Sequence, residues 1–160
     1  MEKSYLKRKT ELLVLSSDQD QLDVFLAGVR PEVRVEVLEP GDDVGRKIRS
    51  LLARRGYERV HLLGHGSPGA IMIGGCLLQR GAFKAIRPRR GRADPFPRGL
   101  CFWSCMTGRG LAGALLMRAV ASRFRSLVYA SQQNVGHGKS GGTWNLKAFK
   151  GGKKLRQAGI

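Results

Sequence analysis

Apolar positions along the chain alternate between two periods. In ELLVLS (11–16) four apolar residues run together and end at Ser and Asp, as in a buried strand. Leu22, Phe25, Leu26 and Val29 then fall at i, i+3, i+4 and i+7, a helical stripe for which Asp18 offers an N-cap. VRVEVL (33–38) alternates Val33, Val35 and Val37 with polar residues, a half-buried strand closed by Pro40-Gly41. The stripe Val44, Ile48, Leu51, Leu52 predicts a second helix, stopped by Gly56, and RVHLLG (59–64) a third strand. AIMIGGCLL (70–78) reads as two short strands turning at Gly74-Gly75. A brief helical stretch follows Gln79, then a Pro/Gly-rich loop with six basic residues over 84–99. LCFW (100–103) is a fourth main strand. A helix over 110–124, with Leu116, Val120 and Phe124 one turn apart, leads to a fifth, SLVYAS (126–131). SGGTWNLKAF (140–149) suggests a last strand or hairpin, ahead of a basic tail over about 147–160.

Strand and helix in regular alternation predict one α/β domain over 1–160, a sandwich with a mostly parallel central sheet flanked by helices. In such sheets ligands bind beyond the carboxyl ends of the strands. That rule singles out Ser16 to Asp18, Gly64 to Gly69, Ser104 to Gly110 and Ser131 to Asn134. His65 and Cys105 stand at two of these four ends.

Charge changes the picture. Residues 1–58 hold 11 Lys/Arg and 11 Asp/Glu, whereas 59–160 hold 18 Lys/Arg and one acid, Asp94, so the second part carries the whole net +17. Such asymmetry attracts a non-specific polyanion or an acidic protein partner. Aromatics at 7% and the lack of a zinc-finger, zipper or RNA-recognition pattern argue against sequence-specific nucleic-acid readout. Three cysteines make no disulfide framework, and no metal-ligand spacing occurs. With no signal-peptide core and no apolar run long enough for a membrane span, the expected compartment is the cytoplasm. GHGKSG (136–141) ends like a P-loop but has Gln133 where the first glycine belongs, and Ser67 fails the G-x-S-x-G elbow because position 65 is His. His61 is expected to pack within its strand, His137 to lie in a loop, Cys101 in the core and Cys76 near a turn.

The remaining pair carries chemistry. A thiol attacks as thiolate, and a nearby imidazole takes up its proton. Cys105 in SCMTGRG follows a strand and precedes a helix, whose positive end favours negative charge. Gly66 lets a substrate carbonyl approach the backbone, and the N–H groups of Gly66 and Cys105 are placed to receive a developing oxyanion.

The blocks HLLGHGSPG (61–69), LCFWSCMTGRG (100–110) and GGTWNL (141–146) resemble the markers of an uncharacterised bacterial domain found near the N-terminus of large repeat-containing surface proteins. That domain is related to the caspase, gingipain and separase group of cysteine peptidases. The resemblance implies a caspase-like three-layer sandwich and a cysteine endopeptidase acting on polypeptides, self-processing or activated within a larger assembly. His65 becomes the catalytic histidine, Gly66 an oxyanion donor and Cys105 the nucleophile, with no cofactor and no metal required. A caspase has glycine two residues after its cysteine; here Gly108 stands three after. A caspase-like layout places the substrate pocket at Ser16, Asp18, Ser104, Ser131, Gln132 and Gln133. If Asp18 faces that pocket, a basic residue is favoured there; if it only caps its helix, the basic surroundings suit acidic substrates. The same sequence is compatible with a catalytically silent α/β binding module whose basic half docks an acidic partner.

Overall fold

The computed structural model describes residues 11–54, 56–87, 97–136, 138–150 and 153–158. In chain order the elements are β1 (Glu11–Ser16), α1 (Leu22–Ala27), β2 (Val33–Leu38), α2 (Val44–Ala53), β3 (Arg59–Leu63), β4 (His65–Ser67), β5 (Ala70–Ile73), β6 (Cys76–Gln79) and α3 (Arg80–Lys84). They continue with β7 (Gly99–Trp103), α4 (Gly110–Phe124), β8 (Leu127–Ala130), β9 (Leu146–Lys150) and β10 (Lys153–Ala158). A seven-stranded sheet runs β10-β9-β8-β7-β3-β1-β2, with β4-β5-β6 forming a separate small sheet. From β2 to β8 the large sheet is parallel; β9 and β10 extend it antiparallel.

The strand order fixes where the helices lie. The chain moves outward from β1 to β2 and then returns across β1 to β3, so right-handed crossovers must put α1 on one face and α2 on the other. The buried side chains agree. Leu12, Val14, Val60, Leu62, Leu100, Phe102 and Val128 pack with Ile48 and Leu52 of α2 and Leu116, Val120 and Phe124 of α4. The alternate residues Leu13, Leu15 and Val33 pack against Leu22, Phe25 and Leu26 of α1. Farther along that second face, Cys101 and Trp103 pack with Leu146. Strands buried on both sides need continuous apolar runs, which LLVL in β1 and LCFW in β7 supply.

Three expectations are corrected. Asp18 does not cap α1: it lies exposed in a turn, and the N-cap position falls to Gln21, in the left-handed conformation (φ 55°) and without a side-chain cap. Its helix also stops short of Val29, because Gly28 takes the C-cap position. The C-terminal basic segment is a hairpin, β9 and β10, rather than a tail. His65, at the carboxyl end of β3, opens the short strand β4. The basic loop expected over 84–99 begins inside α3 at Lys84; its residues 88–96, like His137, lie outside the described residues.

Candidate functional site

Strands β3 and β7 pair in register, Leu63 beside Trp103, so the chain leaves the sheet at Gly64-His65 and at Ser104-Cys105 side by side. The Gly64 N–H still reaches the Trp103 carbonyl at 3.3 Å. Beyond it, β4 and β5 form a hairpin closed by Pro68-Gly69, with Gly69 at φ +77° as the turn requires. A two-residue turn makes Ser67–Ala70 the hydrogen-bonded pair and Gly66–Ile71 the open one, which directs the Gly66 N–H away from β5. His65 is exposed, in the same row as Met72.

Gly66 faces inward onto the cysteine loop. A Cβ there would lie 2.6 Å from Thr107 Oγ1 and 2.7 Å from Cys105 N, and closer still to Cys105 O. Only a glycine admits this approach. Thr107 ties the two segments together: its Oγ1 donates to Ala70 O (3.0 Å), its carbonyl accepts from Gly69 N–H (3.0 Å), and Ser104 Oγ shares a 2.5 Å bond with Oγ1.

On its other side the cysteine loop is held by the chain leaving β8. Met106 N–H donates to Gln133 O (2.9 Å) and Gly108 N–H to Ser131 O (2.8 Å). Met106 sits in the left-handed region, φ 55°, unusual for a side chain with a Cβ and typical of strained functional turns. The half-buried Cys105 sulfur accepts from Val135 N–H (3.4 Å) and directs its S–H toward Val135 O (3.8 Å). Val135 is in turn braced by the Gly-Gly-Thr-Trp segment: it bridges Thr143, Thr143 N–H reaches Asn134 O (2.9 Å), and Gly136 N–H reaches Thr143 O (3.2 Å). Among the described residues the Cys105 N–H has no acceptor, and the His65 imidazole no hydrogen-bond partner. The structure thus joins the two segments through Gly66 and Thr107; it shows no hydrogen bond between imidazole and thiol.

Beside Met106 opens a depression of about 670 Å³, lined by Met106, Arg109, Gly110, Gln132, Gln133, Asn134, Gly141 and Lys147. Of the expected pocket residues, Gln132 and Gln133 line it. Ser104 and Ser131 are buried and do not line it, Ser131 Oγ bonded to both the carbonyl and the N–H of Gln133. Ser16 and Asp18 lie elsewhere. The turn at Gly74 covers Ser16, whose hydroxyl comes within 3.2 Å of a Cβ placed on Gly74 and has no partner among the described residues. The crevice between β1 and β3, where the strand order reverses, is therefore filled by the small sheet.

A second polar group lies under the site. Trp103 Nε1–H donates to His61 Nδ1 (2.9 Å), so His61 carries its proton on Nε2, which faces Glu11 Oε2 at 2.8 Å; Arg30 completes the chain on Glu11 Oε1 (2.9 Å). Burial holds the His61 pKa below its ordinary 6.5 in spite of Glu11, and the charges of Arg59 and Arg30 push the same way. Burial opposes ionisation of Glu11, but the His61 and Arg30 hydrogen bonds outweigh it and its pKa is lowered. Trp103 also lies 6.3 Å, ring to ring, from Trp144, which stacks on Phe25. Burial pushes the Cys101 thiol up to about 12. Among the described residues no three His, Cys, Asp or Glu side chains gather to hold a metal ion, and no helix is long and apolar enough to cross a membrane.

Sequence reasoning named His65, Gly66 and Cys105, took in Thr107 only within the span Ser104 to Gly110, and missed Val135. The GGTWNL block was the available signal for the loop around Val135, whose contribution is entirely backbone.

Fold and site together define an α/β domain that delivers a histidine and a cysteine to the carboxyl ends of neighbouring parallel strands. Residues 12–158 match the family described as domain of unknown function DUF4347, and the chain belongs to that family. No curated protein and no solved structure matches it.

Proposed function

We propose that the domain is a caspase-like cysteine endopeptidase. Cys105 Sγ attacks a peptide carbonyl carbon while its proton passes to His65. The oxyanion is received by the N–H groups of Gly66 and Cys105. Collapse expels the amine, which takes the proton from His65, and water then hydrolyses the thioester with the same imidazole as base. No metal or organic cofactor enters these steps.

One observation carries the reading: Gly66 packs against the Cys105 backbone with no side chain between, and the Cys105 N–H is left unpaired at the end of a parallel strand. An unpaired donor beside a half-exposed sulfur is what an oxyanion site needs. A second reading, a catalytically silent module whose basic half docks a polyanion or an acidic protein partner, is favoured by the Cys105 thiol bonding to Val135 rather than to His65.

Alkylation separates the two. Iodoacetamide and a peptidyl acyloxymethyl ketone should both modify Cys105 faster than Cys76, and His65→Ala should abolish the advantage. Equal, slow modification of Cys76 and Cys105, unchanged by His65→Ala, overturns the peptidase and leaves the docking module.

A further inference from the structure

We infer that the outward side of α3 and α4 is a docking face for the phosphate backbone of duplex nucleic acid, which it holds without reading the bases. This inference rests on the basic half invoked by the docking reading, gives it a surface and a partner, and does not require Cys105 to be inert.

Each of the two helices leads into a parallel strand, α3 into β7 and α4 into β8, so both run back along one face of the sheet. Their apolar sides share a core: Phe83 and Ile86 pack in the same cluster as Leu116, Val120 and Phe124. What remains outside is basic. Arg80, Lys84 and Arg87 fall at i, i+4 and i+7 along α3 and the turn that ends it, and all three are exposed. Arg118 on α4 and Arg125 at its C-cap stand seven apart and are exposed as well. Arg123 donates its Nε–H to Ile86 O, which sets the ends of the two helices side by side. Seven residues of helix make each row about 10 Å long, and packed helices lie about 8–10 Å apart.

Among the described residues nothing on this face neutralises the rows. From residue 59 onward the one acid is Asp94, which lies outside the described residues. None of the exposed cations in the two rows makes an ion pair among the described residues. On α2, which packs on the same core, Asp42 and Asp43 are already paired with Lys47 and Arg46.

The make-up of the face selects among polyanions. Two rows at this spacing match the two phosphate strands that border a groove about 12 Å wide, with long side chains reaching out to either strand. Guanidinium groups, which dominate both rows, bind phosphate oxygens in pairs. A single strand would need aromatic platforms for its bases, and Phe83 and Phe124, the aromatic residues of the two helices, are buried. A bilayer or a protein partner would need apolar side chains at the centre of the contact. Leu111 and Leu115, the exposed large apolar residues of α4, stand in its first two turns, before the cations begin.

The test titrates the full chain into a fluorescein-labelled DNA duplex of about two helical turns and follows anisotropy as salt is raised from about 50 to 200 mM. About four to six phosphate contacts predict a slope of log K on log salt of about −4 to −5, a loss of about 10²–10³-fold over that range. Arg80→Gln, Lys84→Gln, Arg118→Gln and Arg125→Gln should each flatten the slope by about 1. Lys139→Gln, which removes the same charge from the exposed turn Gly138–Ser140, should leave it unchanged. If Lys139→Gln flattens the slope as much as the others do, the attraction belongs to net charge and the face is overturned. Tighter binding, at equal salt, to the corresponding single strand, to phosphatidylserine vesicles or to polyglutamate overturns the duplex and leaves the docking reading standing with another partner. No saturable binding to any of the four overturns this inference and the docking reading together, while alkylation of Cys105 on the same samples decides the peptidase separately.

Discussion

Gly66→Ala is the most direct probe of how the two strand ends meet. A Cβ at 66 lies 2.7 Å from Cys105 N and closer still to Cys105 O, so the cysteine loop or the hairpin must move by about 1 Å or more to restore an ordinary contact of about 3.4–4 Å. Neither moves freely. The loop is bonded to Gln133 and Ser131 on one side and to Gly69 and Ala70 on the other. Overpacking of this kind costs about 1–3 kcal/mol. Gly66 is not in the left-handed region, so alanine recovers about 0.5–1 kcal/mol of backbone entropy. The net loss is up to about 2.5 kcal/mol, which for a domain of this size lowers Tm by up to about 10 °C. A displacement approaching 1 Å at the sulfur costs up to about 10²-fold in a reaction that depends on position. Thermal denaturation and the second-order rate of Cys105 alkylation measure the two effects. Gly81→Ala, on α3 with open space around it, is the control and should stabilise by about 0.5–1 kcal/mol. If Gly66→Ala melts with the wild type and alkylates at the same rate, the close approach of the two segments is refuted.

The His61 pKa lies below its unfolded value, so the unfolded chain binds a proton first as pH falls; stability is fully present above about 6.5, declines below it, and declines again as Glu11 titrates below its own ordinary value of 4.5. His61→Gln should flatten Tm against pH in the upper of these windows; an unchanged slope there would remove His61 as its cause. Cys101, with its thiol pushed up to about 12 by burial, should resist alkylation until the protein unfolds, so its modification in a urea series should follow the loss of circular dichroism, and early modification would contradict its burial. Thr107→Val leaves Ala70 O and the buried Ser104 hydroxyl without their partner and should cost about 1–3 kcal/mol, read from the urea midpoint; a neutral result would mean that the strap contributes nothing.

Much of the fold was legible because its signals are local. Period-two valines mark β2, and Ile48 and Leu52 at i, i+4 mark α2, since each face must be apolar wherever it is buried. The strand that His65 opens was not, because three residues between Gly64 and Pro68 are too few to show a strand period, and only pairing with Ala70–Met72 makes them a strand. Asp18 as a cap failed for a similar reason: a good capping residue caps only if the helix starts next to it, and turns carry the chain on to Gln21. The cysteine and histidine were found from their places at strand ends. Val135 and its brace act through N–H and C=O groups that every residue possesses, so no side-chain pattern announces them. The depression beside Met106 likewise depends on β8 and β9 lying together, a pairing between segments far apart in sequence.

The chain has two tryptophans, and both belong to the neighbourhood of the site. Trp103, buried on β7, gives its indole proton to His61, while the half-exposed Trp144 shields the same face from the segment that braces Val135. Intrinsic fluorescence is therefore a local signal rather than an average over the molecule. An emission change on acidification reports the state of the His61 imidazole on the strand beside β7, and quenching by a soluble collider, which reaches Trp144 first, reports the brace. A wild-type sample, without dye or label, is a two-channel optical sensor of the region where the cysteine loop is held.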